Sequence, residues 1–477
     1  YFNYRVSGTG GYNVIAMISP RIFISAAHKS SGKTTISIGL CAALRNSGKK
    51  VSPFKKGPDY IDPIWLSHAA GRPCYNLDFY TSDSDEILET LNRHSTSSDI
   101  SIIEGNKGLY DGLDLDGSNS NAALAVLTKT PVVLVIDSRG MTRGIAPLIL
   151  GYQAFDPDVR IAGVILNNVG GLRHQGKLQN VIEHYTDVEV VGAVHNSPKL
   201  HLPERHLGLK PGNEYSEVEG IINGIEESVA SQVDLEKIME IAGCAEDISR
   251  KFVNDAKPKG SKTLRIAIAR DAAFNFYYQN DLDAFIECGC ELVEIDTLHD
   301  RNLPDDIDGL FIGGGFPETQ MEKLAANTQL RTEIHSRIEQ GLPVYAECGG
   351  LMYLSRCIEW QDKKSDMVGI IPADTVMHRK PQGRGYVRME KTGSFPWQSR
   401  PTESNIIKAH EFHYSALENL GDTGEFAFQV LRGTGIDGKY DGIVYKNMFA
   451  CYTHQRNTRS NPWVENFTDF IRSNNNC

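Results

Sequence analysis

The run R-I-F-I-S-A-A-H-K-S-S-G-K-T-T at Arg21–Thr35 constrains the fold more than any other stretch of the chain. Arg21–Ser25 reads as a short buried strand, and the apolar positions from Ile36 to Leu44 recur at helical spacing. Between them a tight loop ends in Gly32-Lys33-Thr34. Strand, loop and helix in that order make a phosphate-binding loop. The amides around Ser31, Gly32 and Thr35 and the helix N-terminus would hold phosphates, because unpaired donors and the helix dipole point to one place. Lys33 would reach the β- and γ-phosphates, and the Thr34 hydroxyl would ligate Mg²⁺. Ala27 stands where the first glycine of G-x-x-x-x-G-K-[ST] falls. The competing interpretation is a Ser/Gly turn ahead of a core helix.

At 477 residues the chain exceeds what one hydrophobic core usually holds, so two domains are expected. A net charge of −11 lacks the basic footprint of a nucleic-acid binder, although local donors can still hold an anion. Nine cysteines at irregular spacing, with no C-x-x-C pair, make neither a disulfide scaffold nor a metal knuckle, and fit a reducing cytoplasm. No apolar run reaches the roughly 18 residues that span a bilayer, so no membrane association is expected. Tyr1–Ala16 lacks the basic start and apolar centre of a signal peptide, and Met17 stands just before the first strand. Residues 1–16 are expected to be a tail outside the fold.

Lys50–Lys55 reads as a second strand, leading into Lys56-Gly57-Pro58-Asp59-Tyr60-Ile61-Asp62-Pro63. Its prolines and glycine predict a rigid loop at a strand's carboxyl end, where open α/β sheets bind ligands. Lys56, Asp59 and Asp62 supply that loop with a cation and two carboxylates. Ser101–Ile103 predicts a third strand, with Glu104 at its tip beside the phosphate loop. Glu104 is therefore placed as the metal-side acid, and Asp111 as a metal-side or substrate-side partner. Pro131–Asp137, Ile161–Asn167 and Val188–Val194 are further strands, the first two continuously apolar as in buried parallel sheets. Asn167-Asn168 is either a base-reading site or simple turn chemistry. Strands alternating with helices predict a doubly wound parallel sheet over residues 17–243.

Residues 244–263 turn polar and contain Pro and Gly, which predicts a linker. A second α/β unit follows over residues 264–477, with strands at Leu264–Ala269, Glu291–Leu298 and Gly309–Ile312. The last runs into Gly313-Gly314-Gly315, whose backbone amides could face a small anion or oxyanion. Pro343–Glu347 predicts a strand stopping at Cys348, followed by Gly349-Gly350 and a helix. Strand, nucleophile, glycines and helix make a nucleophile elbow, and the helix N-terminus is expected to lower the thiol pKa from about 8.5. The base could be His410, His413 or His454; on a strand, His410 and His413 face opposite sides, so only one points inward.

Taken together, F-K-K-G-P-D-Y-I-D-P, E-G-N-K-G-L-Y-D-G, L-P-E-R-H-L-G-L, G-G-G-F-P-E, A-E-C-G-G-L-M-Y-L and H-E-F-H-Y-S resemble the cobyrinic acid a,c-diamide synthase family. The resemblance runs from about Arg21 to Phe470. It implies a P-loop NTPase domain of dethiobiotin-synthetase type joined to a class I glutamine amidotransferase-like α/β domain. The implied chemistry is amidation of the a and c acetates of a cobalt corrin with ATP, Mg²⁺ and glutamine, through an acyl phosphate. Residue by residue, it implies nucleotide contacts from Ser31, Gly32, Lys33, Thr34 and Thr35, and metal contacts from Thr34 and Glu104. Tyr60, Asp62 and Asp111 match positions handling the corrin carboxylates, in the same site as Lys56 and Asp59. Cys348 would attack the glutamine amide, with His454 as base and Gly313, Gly314 and Gly315 as oxyanion donors. A cytoplasmic enzyme is implied, and a homodimer is compatible with it.

The sequence departs from the pattern at Arg456, where class I glutaminases carry a Glu two residues after the histidine; this branch generally lacks that acid, which leaves the orientation of His454 unexplained. Ala409 stands before His410 where glycine is common. Relatives acting on sirohaem or nickel-sirohydrochlorin share the same motifs. A partitioning-type switch ATPase would carry a lysine at position 28, which is His28, and would not account for Cys348 and its glycines.

Overall fold

The computed structural model describes residues 13–17, 19–202, 204–205, 208–209, 218–252, 263–398, 403–422 and 424–474. Most of the expected tail, residues 253–262 of the expected linker, and Pro203, His206 and Leu207 of the L-P-E-R-H-L-G-L motif lie outside the described residues. The chain forms two compact units, residues 1–79 with 83–255, and residues 80–82 with 256–477.

The first unit is built on a seven-stranded sheet in the order Tyr75–Leu77, Val51–Lys56, Ile100–Glu104, Arg21–Ala26, Val132–Asp137, Ile161–Val169, Glu189–His195. All its neighbours pair in parallel. Alternation along the central strand explains its two-sided burial. Ile22, Ile24 and Ala26 pack in one core with Ile36, Leu40 and Trp65, while Phe23 joins Phe54, Ile103 and Leu134 in another. The helix Lys33–Asn46 leaves the carboxyl end of this strand. The strand order reverses there, between Arg21–Ala26 and Ile100–Glu104, so the phosphate loop lies at the switch point where doubly wound sheets bind ligands.

Two boundaries differ from expectation. Asn13–Met17 is a strand, paired antiparallel with Ile248–Phe252, so the end of the expected tail and part of the expected linker form a ribbon of the first unit. Polarity misled here: a two-stranded ribbon needs backbone partners more than apolar side chains. Arg21 holds the approach to that ribbon. Its fully buried guanidinium donates to the carbonyls of Thr128 (3.0 Å) and Ser19 (3.0 Å) and also to that of Glu246.

The second unit carries a nine-stranded sheet in the order Cys290–Ile295, Leu264–Ala269, Gly309–Ile312, Val344–Glu347, Met448–Cys451, Tyr440–Tyr445, Glu425–Arg432, Gly383–Lys391, Ile406–His413. The first five strands are parallel, and the remainder extend the sheet antiparallel. A four-stranded sheet of Lys363–Asp366, Ser355–Trp360, Ile371–Met377 and Ser415–Glu418 adjoins in the same unit. Among the described residues no helix is long and apolar enough to cross a membrane.

Replacing Arg21 with Met leaves buried carbonyls without their donor. A loss of about 1–3 kcal/mol of unfolding free energy is expected, read as a lowered denaturation midpoint of the full chain.

Candidate active sites

The phosphate loop is shaped by two positive-φ residues, Ser30 (φ 64°) and Gly32 (φ 90°). Gly32 is required twice over, because a Cβ there would lie 2.1 Å from Asn167 Nδ2. Asn167 donates that amide to the Ser31 carbonyl at 2.9 Å, which makes it a brace of the loop's backbone. Asn168 instead reaches Asp137 Oδ1 at 3.3 Å. Ser31 turns its hydroxyl to the His28 carbonyl at 2.8 Å, and Thr35 bonds the Leu200 carbonyl at 3.4 Å. Lys33 donates to the Lys107 carbonyl at 2.5 Å; burial pulls its ammonium down to about 8, against the attraction of Glu104.

Beside the loop a buried cluster of acids surrounds one cation. Glu104 Oε1 accepts from Thr34 Oγ1 at 2.7 Å and from Lys55 Nζ at 2.8 Å. Asp62 Oδ2 accepts from Lys55 at 2.5 Å and from Thr34 at 3.3 Å. Lys55 is the residue that sequence reasoning missed. It reads as an ordinary strand residue next to Lys56, and only its register opposite Glu104 reveals the pairing. Burial opposes its charge, but the Asp62 and Glu104 carboxylates more than offset this and hold it above the ordinary lysine range. Lys56 takes a different role: it donates to Asn106 Oδ1 at 3.3 Å, and burial pulls it down to about 8.

Asp59 caps the next helix, accepting from the amides of Ile61 (2.9 Å) and Asp62 (3.1 Å); burial and the Asp62 charge push its carboxyl up to about 7. Tyr60 is buried at the start of that helix. Asp111 is exposed and accepts from the Gly108 amide at 2.8 Å. Asn121, also unseen in the sequence, binds the carbonyls of Asn106 (2.5 Å) and Gly108 (2.9 Å) and so fixes the loop that follows Glu104. The donor set fits a divalent cation. Glu104 Oε2 is buried with no hydrogen-bond partner, and the Thr34 hydroxyl and Asp62 carboxylate border the same carboxyl group.

In the second unit Cys348 follows the strand Val344–Glu347 and has φ 48° and ψ −99°, the strained backbone of a nucleophile elbow. The two glycines after it are dictated by packing. A Cβ on Gly350 would lie 2.3 Å from the Ile312 carbonyl oxygen, and one on Gly349 3.0 Å from the Gly315 amide nitrogen. The strand Val344–Glu347 pairs in parallel with Met448–Cys451, and the Cys348 amide donates to the Cys451 carbonyl at 2.8 Å. Cys348 and His454 thus leave the same ends of adjacent strands. The antiparallel exchange between His454 and His410 backbones holds the second of them.

His413, and not His410, is the inward residue of its strand. Its ring stacks on Tyr452 at 3.9 Å, and Nδ1 lies 2.8 Å from the Ser415 carbonyl. Two expectations are corrected. The thiol is raised, not lowered: burial dominates, the Glu318 and Glu347 charges add to it, and the six-residue helix behind Cys348 does not offset them. Gly313 is not a free oxyanion donor, because its amide donates to the Tyr277 hydroxyl at 3.0 Å. Gly314-Gly315 pairs with Phe274–Phe276, and the Gly349 amide is turned toward the thiol. Burial drives His454 down to about 3 and Glu347 up to about 8.

Family models match both halves: a CobQ/CobB/MinD/ParA nucleotide-binding domain over residues 22–209, and a CobB/CobQ-like glutamine amidotransferase domain over residues 265–462. Phosphate loop and thiol elbow in one chain, matched by these domains, define a glutamine-dependent amide-forming ligase. The cobyrinate a,c-diamide synthase of Magnetococcus marinus is 43% identical over 95% of this chain and 97% of its own. Those of Methanosarcina acetivorans and Archaeoglobus fulgidus are each 42% identical, over 91% and 92% of this chain and 92% and 95% of their own. The chain belongs to the cobyrinate a,c-diamide synthase family.

Because Lys33 sits near 8 without a ligand, its charge is lost as pH rises through that value. A bound polyphosphate restores the charge, so nucleotide binding is expected to take up protons just on the alkaline side of that pH and few well below it. Calorimetry in buffers of different ionisation enthalpy measures the uptake.

Proposed function

We propose that this chain converts the a and c acetate carboxylates of cobyrinate to amides, using ATP and glutamine. The observation that supports this most is the pairing of the Thr34–Glu104–Asp62 phosphate-side cluster with a strained Cys348 elbow, in relatives of that name matched over nearly their whole length. A carboxylate is a poor electrophile. One acetate oxygen attacks the γ-phosphorus of ATP, ADP leaves, and the acyl phosphate formed is open to attack by ammonia, with inorganic phosphate as leaving group.

The chain's contribution to the first step is positioning and charge. Loop amides and Lys33 orient the triphosphate, while Lys55 bonds Asp62 and Glu104 and keeps both carboxyl groups in place. Thr34 and Glu104 would hold Mg²⁺, which supplies charge neutralisation at the phosphates. Lys56 and Tyr60, at the carboxyl end of Val51–Lys56, would donate to the tetrapyrrole acetates, while Asp59, Asp62 and Asp111 would order the surface that receives them through Lys55 and backbone amides. In the other half the Cys348 sulfur, its proton taken by His454, attacks the glutamine amide carbon. The same proton leaves with ammonia, and water releases glutamate from the thioester. The Gly349 amide, turned toward the thiol, and the Gly315 amide near Gly349 are better candidates for oxyanion donors than Gly313.

Full-length protein given Mg-ATP and glutamine with cobyrinate, sirohaem or nickel-sirohydrochlorin, and examined by mass spectrometry, should form two amides on cobyrinate; amidation of another tetrapyrrole alone reassigns the substrate. Cys348→Ser should abolish glutamine-driven synthesis while ammonia-driven synthesis continues. Lys33→Ala should lose both, by about 100-fold or more, since it acts on carboxylate activation. Undiminished glutamate release by Cys348→Ser would remove the thiol from the reaction.

A further inference from the structure

The position two residues after His454 carries Arg456, whose guanidinium lies 5.3 Å over the Tyr278 ring and cannot orient an imidazole as an acid would. The other buried acids have their oxygens held by other donors, although the Asp441 charge also acts on His454. Asp441 accepts from the amides of Gly442, Tyr452 and Thr453, and Glu411 from those of Thr434 and Gly435. Asp281 accepts from the Asn457 amide and the Trp463 indole.

Glu347 differs. It is the last residue of the strand that delivers the thiol, and it is 3% exposed. Its Oε1 accepts from the Tyr345 hydroxyl at 2.5 Å and from the Gln455 amide at 2.8 Å. These contacts fix the carboxyl plane, and Gln455 is the residue directly after His454. Oε2 then lies 3.5 Å from His454 Nδ1. We infer that Glu347 is the positioning acid of His454, a third member of the glutaminase site supplied from the residue before the nucleophile and not from the position two residues after the histidine.

The inference rests on the reading of Cys348 and His454 as the glutaminase pair. As a carboxylate 3.5 Å from Nδ1, Glu347 favours the tautomer protonated there, whose Nε2 lone pair is free to take the thiol proton. When that proton moves from Sγ to Nε2, the carboxylate offsets the imidazolium charge in a site that burial otherwise makes hostile to it. Burial drives the two groups toward their neutral forms, upward for Glu347 and downward for His454, so a carboxylate 3.5 Å from Nδ1 matters most when the imidazolium forms. The Tyr345 and Gln455 donors favour the ionised carboxylate.

Glutamine hydrolysis by the full chain with Glu347→Gln and Glu347→Asp is the test. The amide keeps the shape and an acceptor for Tyr345 and Gln455 but removes the anion. The expected result is a fall in kcat of about 100-fold or more, with KM for glutamine within about threefold, and an acidic limb of kcat/KM moved to lower pH. Glu347→Asp should recover part of the rate, and ammonia-driven synthesis reports whether the variants are folded. Wild-type kcat in Glu347→Gln overturns the inference. So does loss of ammonia-driven synthesis together with glutaminase activity, which marks a purely structural carboxylate. His454→Ala and Cys348→Ser are run beside them: if either hydrolyses glutamine normally, the pair itself is misassigned, whereas an inactive pair with an indifferent Glu347 removes this inference alone.

Discussion

Both sites depend on the register of parallel strand pairs. In the first unit Lys55 stands opposite Glu104, and Ile24 opposite the same residue from the other side. In the second, Glu347 stands opposite Cys451. A slip of one residue in either ladder would turn every side chain to the other face. The cation would leave its two acids, and the carboxylate would leave the imidazole. Backbone hydrogen bonds thus decide the chemistry before any ligand contact is made, and apolar burial on both faces of each sheet makes slippage costly.

The Lys55 cluster shows how a buried charge is kept. A lone ammonium at that depth would lose its proton, and two adjacent carboxylates would resist ionising together. Combined, the Asp62 and Glu104 carboxylates hold the Lys55 ammonium charged, with Thr34 supplying a further donor to both acids. The cluster still leaves Glu104 Oε2 without a partner, a polarity that a cation can use. The glutaminase half faces the opposite problem. There burial drives the thiol, Glu347 and His454 all toward neutrality.

Second-rank residues account for much of the geometry. Asn167 holds the Ser31 carbonyl, Asn121 holds the turn after Glu104, and Asp441 gathers the amides that lead to His454. Gly32, Gly349 and Gly350 clear space that any side chain would fill. Asn167, Asn121 and Asp441 act through backbone that they hold.

Local sequence determined the phosphate loop, the strand–thiol–glycine elbow and the alternation of strands and helices, because each is a short-range pattern whose chemistry follows from adjacent residues. Gly32-Lys33-Thr34 and Cys348-Gly349-Gly350 were legible on that account. The pairing of Lys55 with Glu104, the bracing by Asn121 and Asn167, the ribbon of Asn13–Met17 with Ile248–Phe252, and the approach of Glu347 to His454 were not. These contacts join residues separated by tens to hundreds of positions, and only the tertiary register of the sheets brings them together. The thiol's raised pKa belongs to the same class: a helix N-terminus is visible in sequence, whereas the burial that outweighs it is a property of the folded chain.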